Sequence, residues 1–475
     1  MPPLSPRGFP RRAAMLAALV IALGAAWQGG VEEMRARWKQ QEAIFARDLD
    51  RLTRENRGIR ARIARERAVK SSSEILPRIE ETMSKIRGLP LRRPVVYRPM
   101  ARRSLRDFIA AKIRSQHSGE ELRDYQTALV RMRLLPDEIQ ISGLIAELLS
   151  EQVAAFYDSE SHELRTFEGL NLDRNVERMI VAHEVVHALQ DQNFDLSALA
   201  LDRRDDDDRA LASSALVEGD ANYHMGIYLR AHFRMRDFFG DLRFLFSHQT
   251  DKLLSAPVYL RETLLFPYQE GQRFVAELCA RGGVEALNQA FARPPQSTEQ
   301  VLHPEKYLSG GDAPKPVAIR LKPAPAWRWV HANTVGELGL RAHLTPLLGA
   351  ERAARAAEGW GGDRYVVYEI QAPSEGWVLV WRTVWDTPAD AREFFDAMES
   401  AFRDRFGGGV TGGSSAERKA SSDALFYSFA SQKQALVLRG EEVILADAPE
   451  SATLRGVMTD LFDGGRSPSD GEKGR

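Results

Sequence analysis

His183-Glu184-Val185-Val186-His187 is the segment whose residue types and spacing could do chemistry. Histidines four residues apart stand one turn apart on the same helix face, so both imidazoles can reach a single Zn²⁺. The glutamate between them can approach the metal's water without itself ligating the metal. A catalytic zinc takes three protein ligands and keeps a fourth position open. The following helical stretch, Ala215-Leu216-Val217-Glu218-Gly219-Asp220-Ala221-Asn222, offers Glu218 directly after an apolar run. That placement predicts an inward-facing carboxylate and a His₂Glu centre, with His224 competing for the third place. Asp220 or Asn222 could hold the second nitrogen of a ligating histidine.

These side chains need elements to carry them. The pattern predicts a long helix from Val176 to about Gln192, capped by Asn175, with Met179, Ile180, Val185, Val186 and Leu189 on its apolar faces. Burying two histidines and a glutamate in such a helix is costly unless something pairs them. Before it, VAAFYD and ELRTF flank SESH and read as a two-stranded hairpin. After it, Asp205 to Asp208 read as a solvated loop opening a helix from Ala210 to about Phe239. Ser71 to Glu74 and the proline-punctuated stretch from Leu89 to Pro99 read as a joint, followed by helix from Ser104 to about Gln152, broken near Pro136. Further helices reach about Ala292, where Arg293-Pro294-Pro295 ends them, and Cys279 among apolar neighbours reads as a core residue.

A proline-rich linker, residues 313–326, carries one short strand in this reading and leads to an α, β, β, α, β, β, α pattern over 327–463. Its strands are RYVVYEIQ, GWVLVWRTVW, ALFYSFAS and the paired QALVLRG and EEVILAD; no nucleophile, metal or phosphate motif stands among them. The fold class expected is α+β: a mainly helical metal domain over 71–312 behind a β-hairpin, a small C-terminal α+β sandwich, and a disordered tail over 464–475.

The chain has 475 residues, 44% hydrophobic and 28% charged, an ordinary globular composition. A single cysteine excludes an intrachain disulfide framework and a cysteine-based metal cage. Charge is unevenly spread: up to Arg114, 26 Lys and Arg stand against 11 Asp and Glu. Arg7, Arg11 and Arg12 precede an apolar run from Ala13 to Trp27, the layout of a secretory leader within residues 1–30. Small residues at Ala22, Gly24 and Ala26 allow cleavage, but heptad spacing behind the leader favours a retained anchor. Over the basic segment 31–70, Phe45, Leu52 and Ile59 take d positions, and Leu49, Asn56 and Ile63 take a positions. A parallel homodimer through residues 38–70 is therefore expected, with Asn56 setting register. A basic helix packed on its own domain is the competing reading. The basic stretch lacks interleaved aromatics or a recognition motif, so nucleic acid is not an expected partner.

Glu151-Gln152-Val153-Ala154-Ala155-Phe156-Tyr157-Asp158, HEVVHALQDQ from His183, Phe194-Asp195-Leu196 and ALVEGDA together resemble a little-characterised bacterial family of zinc metallopeptidases. More distantly the arrangement is similar to thermolysin-like gluzincins, in which a downstream glutamate completes the site. The resemblance covers about Glu151 to Tyr307. Here 30 residues separate His187 from Glu218, a longer gap than in thermolysin-like enzymes. The likeness implies a substrate-binding edge strand, for which Glu163 to Phe167 is placed. An oxyanion donor is also needed; His303 and Tyr307 are the candidates, with Tyr268 and Tyr223 as alternatives.

The sequence thus points to zinc-dependent hydrolysis of a peptide or protein substrate. His183, His187 and Glu218 bind the metal and Glu184 acts as general base. The leader places the protein in the cell envelope, anchored in the inner membrane with its catalytic part outside the cytoplasm, or released if the leader is cut. A noncatalytic scaffold with a zinc-stabilised domain is one rival, although such a site has no need of Glu184. A zinc hydrolase acting on a nonpeptide bond is the other.

Overall fold

The computed structural model describes residues 74–101, 118–141, 155–232, 255–407 and 417–463, less a few positions within them, and scattered residues elsewhere. The apolar leader, nearly all of the heptad segment, Glu151 and Gln152, and the tail from Gly464 lie outside the described residues. Among the described residues, no helix is long and apolar enough to cross a membrane.

The architecture is mixed α+β. Residues 74–87 form α1. The stretch expected to be a joint instead yields strand β1 (Val96–Met100). The expected hairpin forms β2 (Ala155–Asp158) and β3 (Glu163–Phe167), antiparallel with Tyr157 opposite Leu164. β1 pairs parallel to β3, so the strand order is β1-β3-β2. This corrects one expectation: Glu163 to Phe167 is the central strand, and the edges are β1 and, on the side of Glu184, β2. Nothing local in Leu89 to Pro99 announces a strand, because its pairing partner lies more than sixty positions along the chain.

Helix α3 (Asn175–Phe194) packs on this sheet. Asn175 is its first helical residue rather than its cap; the N-cap is Arg174, which makes no side-chain capping bond. Val181, Ala182, Val185, Val186, Ala188 and Leu189 are fully buried, so the helix is enclosed on nearly every side. Each large apolar side chain in that set contributes about 1.5–3 kcal/mol on burial. Helix α4 (Asp207–His232) crosses α3 and packs most extensively on α5 (Val258–Ala292). The contact between α4 and α5 is backbone-tight. A Cβ on Gly219 would stand 2.2 Å from the Gly271 backbone, and one on Gly271 would stand 2.2 Å from the Ala215 carbonyl oxygen. Only glycine fits at either position.

Short helices α6 (Thr298–Leu302) and α7 (Pro304–Ser309) lead towards the C-terminal part. There a seven-stranded antiparallel sheet has the order β4-β5-β6-β10-β9-β8-β7. It comprises β4 (Trp327–Asn333), β5 (Trp360–Ile370), β6 (Gly376–Trp385), β7 (Glu417–Ser421), β8 (Ala424–Ser428), β9 (Lys433–Arg439) and β10 (Glu442–Ala448). Strands β4 and β7 escaped the sequence reading, and the short strand expected within 313–326 does not form. Helices α8 (Gly336–Leu348), α9 (Ala350–Ala357) and α10 (Pro388–Gly407) cover one face, and α11 (Ser451–Asp463) packs on the other. Helix α2 (Gly119–Arg131) contributes Ala128 and Leu129 to the core of this sheet, beside Trp381 and Trp385. Ser71 to Arg475 accordingly forms one compact unit.

The acidic run before α4 is also corrected. Asp207 accepts from Tyr125 Oη at 2.9 Å, and Asp208, 1% exposed, accepts from Thr298 N at 3.0 Å. Gly336, at φ 69°, gives Asp208 its room; a Cβ there would collide with the carboxylate. Asp208 is thus buried and Asp207 partly so, and the two clamp the helical layer to the C-terminal part.

Candidate metal centre

At one polar corner of α3, His183, Glu184 and His187 meet Glu218 of α4. His183 Nε2 and His187 Nε2 lie 3.1 Å apart; Glu218 Oε2 is 3.1 Å from the first and 3.5 Å from the second. Zinc with bonds of about 2.0–2.1 Å to tetrahedral N and O ligands needs ligand atoms about 3.3 Å apart. The three donors fit that demand. The Gly219–Gly271 contact holds the adjoining Glu218 at this depth.

The tautomer of His187 is set by its neighbour. Gln190 Oε1 stands 2.9 Å from His187 Nδ1. Gln190 Nε2 donates to Val217 O at 2.9 Å and to Asp220 Oδ2 at 3.0 Å, which fixes the amide's orientation. Nδ1 therefore carries a proton in either state of the ring, and Nε2 faces Glu218 and His183 as the nitrogen that can bind a metal once it gives up its own proton. Asp220 does not hold a histidine ligand directly, as the sequence suggested; it holds the glutamine that does. Asn222 is engaged elsewhere, donating to Tyr268 O at 3.2 Å. His224, the rival third ligand, is 1% exposed and lies 2.7 Å from Asp220 Oδ1, away from the cluster.

Glu184 is buried, and Tyr157 N of the edge strand β2 donates to its Oε2 at 2.7 Å. Burial raises its carboxyl above the ordinary value, helped by Glu218 and opposed by the histidines. Burial also works against a charged Glu218 and a charged His187, but the pair overcomes it. Attraction to the histidines, His187 foremost, holds the Glu218 carboxyl low, and Glu218 carries His187 up to about 9.

The tyrosine at this corner is Tyr268. Its ring stacks on His183 with centroids 6.3 Å apart. The residue is 42% exposed, yet its hydroxyl end faces Glu218 and Glu184; burial of that end and the two carboxylates push the phenol up. His303 and Tyr307 are not brought here. His303 Nε2 lies 3.1 Å from Glu337 Oε1, and Tyr307 Oη donates to Arg293 O at 2.8 Å. Tyr223 lies edge-on against His224 instead. Gln190 was legible in principle, three residues beyond His187 on the same helix face. Its partners were not.

Residues 327–458 match the model of a domain of unknown function, DUF8575, a stretch that does not include the histidines or Glu218. No curated protein matches the chain. Among solved structures, a candidate hydrolase with a novel fold from Chloroflexus aurantiacus is 19% identical. That likeness covers 53% of this chain and 98% of the other, with a TM-score of 0.33, too low to carry an argument about fold or activity.

Proposed function

We propose that the chain is a zinc-dependent hydrolase of peptide bonds. The observation that carries this is the set of three donors at tetrahedral spacing with Glu184 on the same helix. His183, His187 and Glu218 would hold the zinc, which supplies Lewis acidity at the scissile carbonyl. Glu184 takes a proton from the attacking water and returns it to the leaving amine, a task suited to a carboxyl raised by burial. The Tyr268 hydroxyl donates to the carbonyl oxygen as negative charge develops there. An extended peptide pairs along the β2 edge, beside the Tyr157 amide that holds Glu184. The resemblance to bacterial metallopeptidases supports the same reading. The apolar leader and heptads extend it to an envelope protein, held in the membrane and dimerised through residues 38–70.

Replacing Glu184 by Gln tests the proposal. The variant should retain one zinc per chain, while cleavage of a proteome-derived peptide library falls at least ~10²-fold. Equal turnover by the wild type and the variant would overturn the assignment of the base. Cleavage of ester or amide substrates but no peptide would reassign the bond.

A further inference from the structure

Gln190 is enclosed between α3 and α4 with no exposed surface, and so are Asp220 and Arg87. Its amide spans two requirements at once. One end accepts the Nδ1 proton of His187 at 2.9 Å. The other end donates to Val217 O and Asp220 Oδ2. Asp220 is in turn fixed by Arg87 of α1, whose Nε lies 2.9 Å from Oδ2. Arg87 Nη1 donates to Asn288 Oδ1 at 2.9 Å, and its guanidinium lies over the rings of Phe194 and Phe291. An amide has no preferred direction of its own. Between His187 and a carboxylate it is free to point either end at the imidazole unless something breaks the tie. The anionic Asp220 and the Val217 carbonyl break it, because both accept and neither donates.

We infer that Gln190 is a positioning residue for the metal centre. It keeps His187 in the Nδ1-protonated tautomer, and the Arg87–Asp220 pair keeps Gln190 pointing the right way. A glutamine flipped end for end would offer N–H to Nδ1 and move the histidine's proton to Nε2, where it blocks metal binding. The chain Arg87–Asp220–Gln190–His187 therefore ties α1, which touches none of the ligands in this network, to the lone pair offered to the metal. The inference rests on the zinc reading of the site and adds residues to it.

The test is zinc affinity of the full-length protein, measured by competition with a chromophoric chelator, with Zn²⁺ alone as the probe. Gln190→Met preserves length and bulk but removes the acceptor, and should weaken zinc binding on the order of 10–100-fold. In the zinc-loaded wild type a hydrogen-bonded His187 Nδ1–H should give a slowly exchanging proton resonance, absent from the variant. Gln190→Glu retains an oxygen for His187 and, when protonated, a donor for Asp220; it should recover affinity to within about threefold of wild type, a rescue that loss of packing alone does not predict. Circular dichroism of the metal-stripped proteins establishes that each variant is folded. If Gln190→Met binds zinc as tightly as the wild type, or keeps that resonance, the inference falls while the metal centre stands. If the wild type binds no zinc at stoichiometry, both fall.

Discussion

Glu299, Asp312 and Asp386 near the C-terminal sheet gather three donors within 4.8 Å, as do His183, His187 and Glu218 in the helical layer. The two clusters are built differently. Among the carboxylates sits Lys306 Nζ, at 2.6 Å from Glu299, 3.1 Å from Asp312 and 2.7 Å from Asp386. The ammonium has three N–H groups and meets three acceptors, so the chain supplies its own cation. At the other corner the donors include two imidazoles, one with its tautomer fixed by Gln190, and among the described residues the counter-charge beside Glu218 is a proton on histidine. Crowded acids by themselves say little. A metal centre is recognised by lone pairs that the surrounding hydrogen bonds leave pointing inward.

The contrast is broken most directly by substitution at both clusters. His187→Ala should abolish stoichiometric zinc, as judged by metal analysis after gel filtration. Lys306→Met should leave zinc content unchanged but lower stability by about 3 kcal/mol, because it strands carboxylates around a partly buried place. If the lysine variant lost its zinc while the histidine variant retained it, the assignment of the two clusters would be reversed.

The two tyrosine candidates sharpen it further. Tyr268→Phe should lower turnover on the order of 10²-fold at unchanged zinc content, the usual cost of one oxyanion donor. Tyr307→Phe removes a hydroxyl that serves the Arg293 carbonyl and should change turnover by less than about threefold. Steady-state kinetics on one cleaved peptide decides between them, and the opposite ranking would restore Tyr307 to the mechanism.

The pH dependence of zinc binding gives a smaller effect. His187 is carried up to about 9 from about 6.5 in an unfolded chain. A folded value above the unfolded one means that its contribution to stability is complete below about pH 6.5. In protein stripped of metal that contribution is lost as the pH rises through about 9. Zinc has to displace the same proton, so its affinity should climb about tenfold per pH unit up to that point. Thermal melts of the stripped protein and chelator competition at pH 7 and 8 check both halves. A pH-independent affinity would show that no proton is displaced.

The helix carrying His183, Glu184 and His187 was legible because everything that defines it is local: period, length and the one-turn spacing of two side chains. Glu218 was legible for a related reason, since an apolar run turns the next polar residue inward. The hairpin before α3 could be read from alternation and its turn. In the C-terminal part, β5, β6, β8, β9 and β10 were likewise legible from their composition. Long-range pairing was not: β1 joins β3 in parallel, and that turned the expected edge strand into a central one.

What the sequence by itself determined is the chemistry available, namely two imidazoles and a carboxylate with a second carboxylate between the histidines, because donor type and helical spacing are written residue by residue. Only the tertiary structure decided which groups serve them. Arg87 meets Asp220 across 133 positions, Tyr268 reaches the corner through the glycine contact between α4 and α5, and Asp208 is buried rather than solvated. Each depends on two distant segments filling the same few ångströms. Burial and hydrogen-bond direction are properties of that shared space and not of either segment alone.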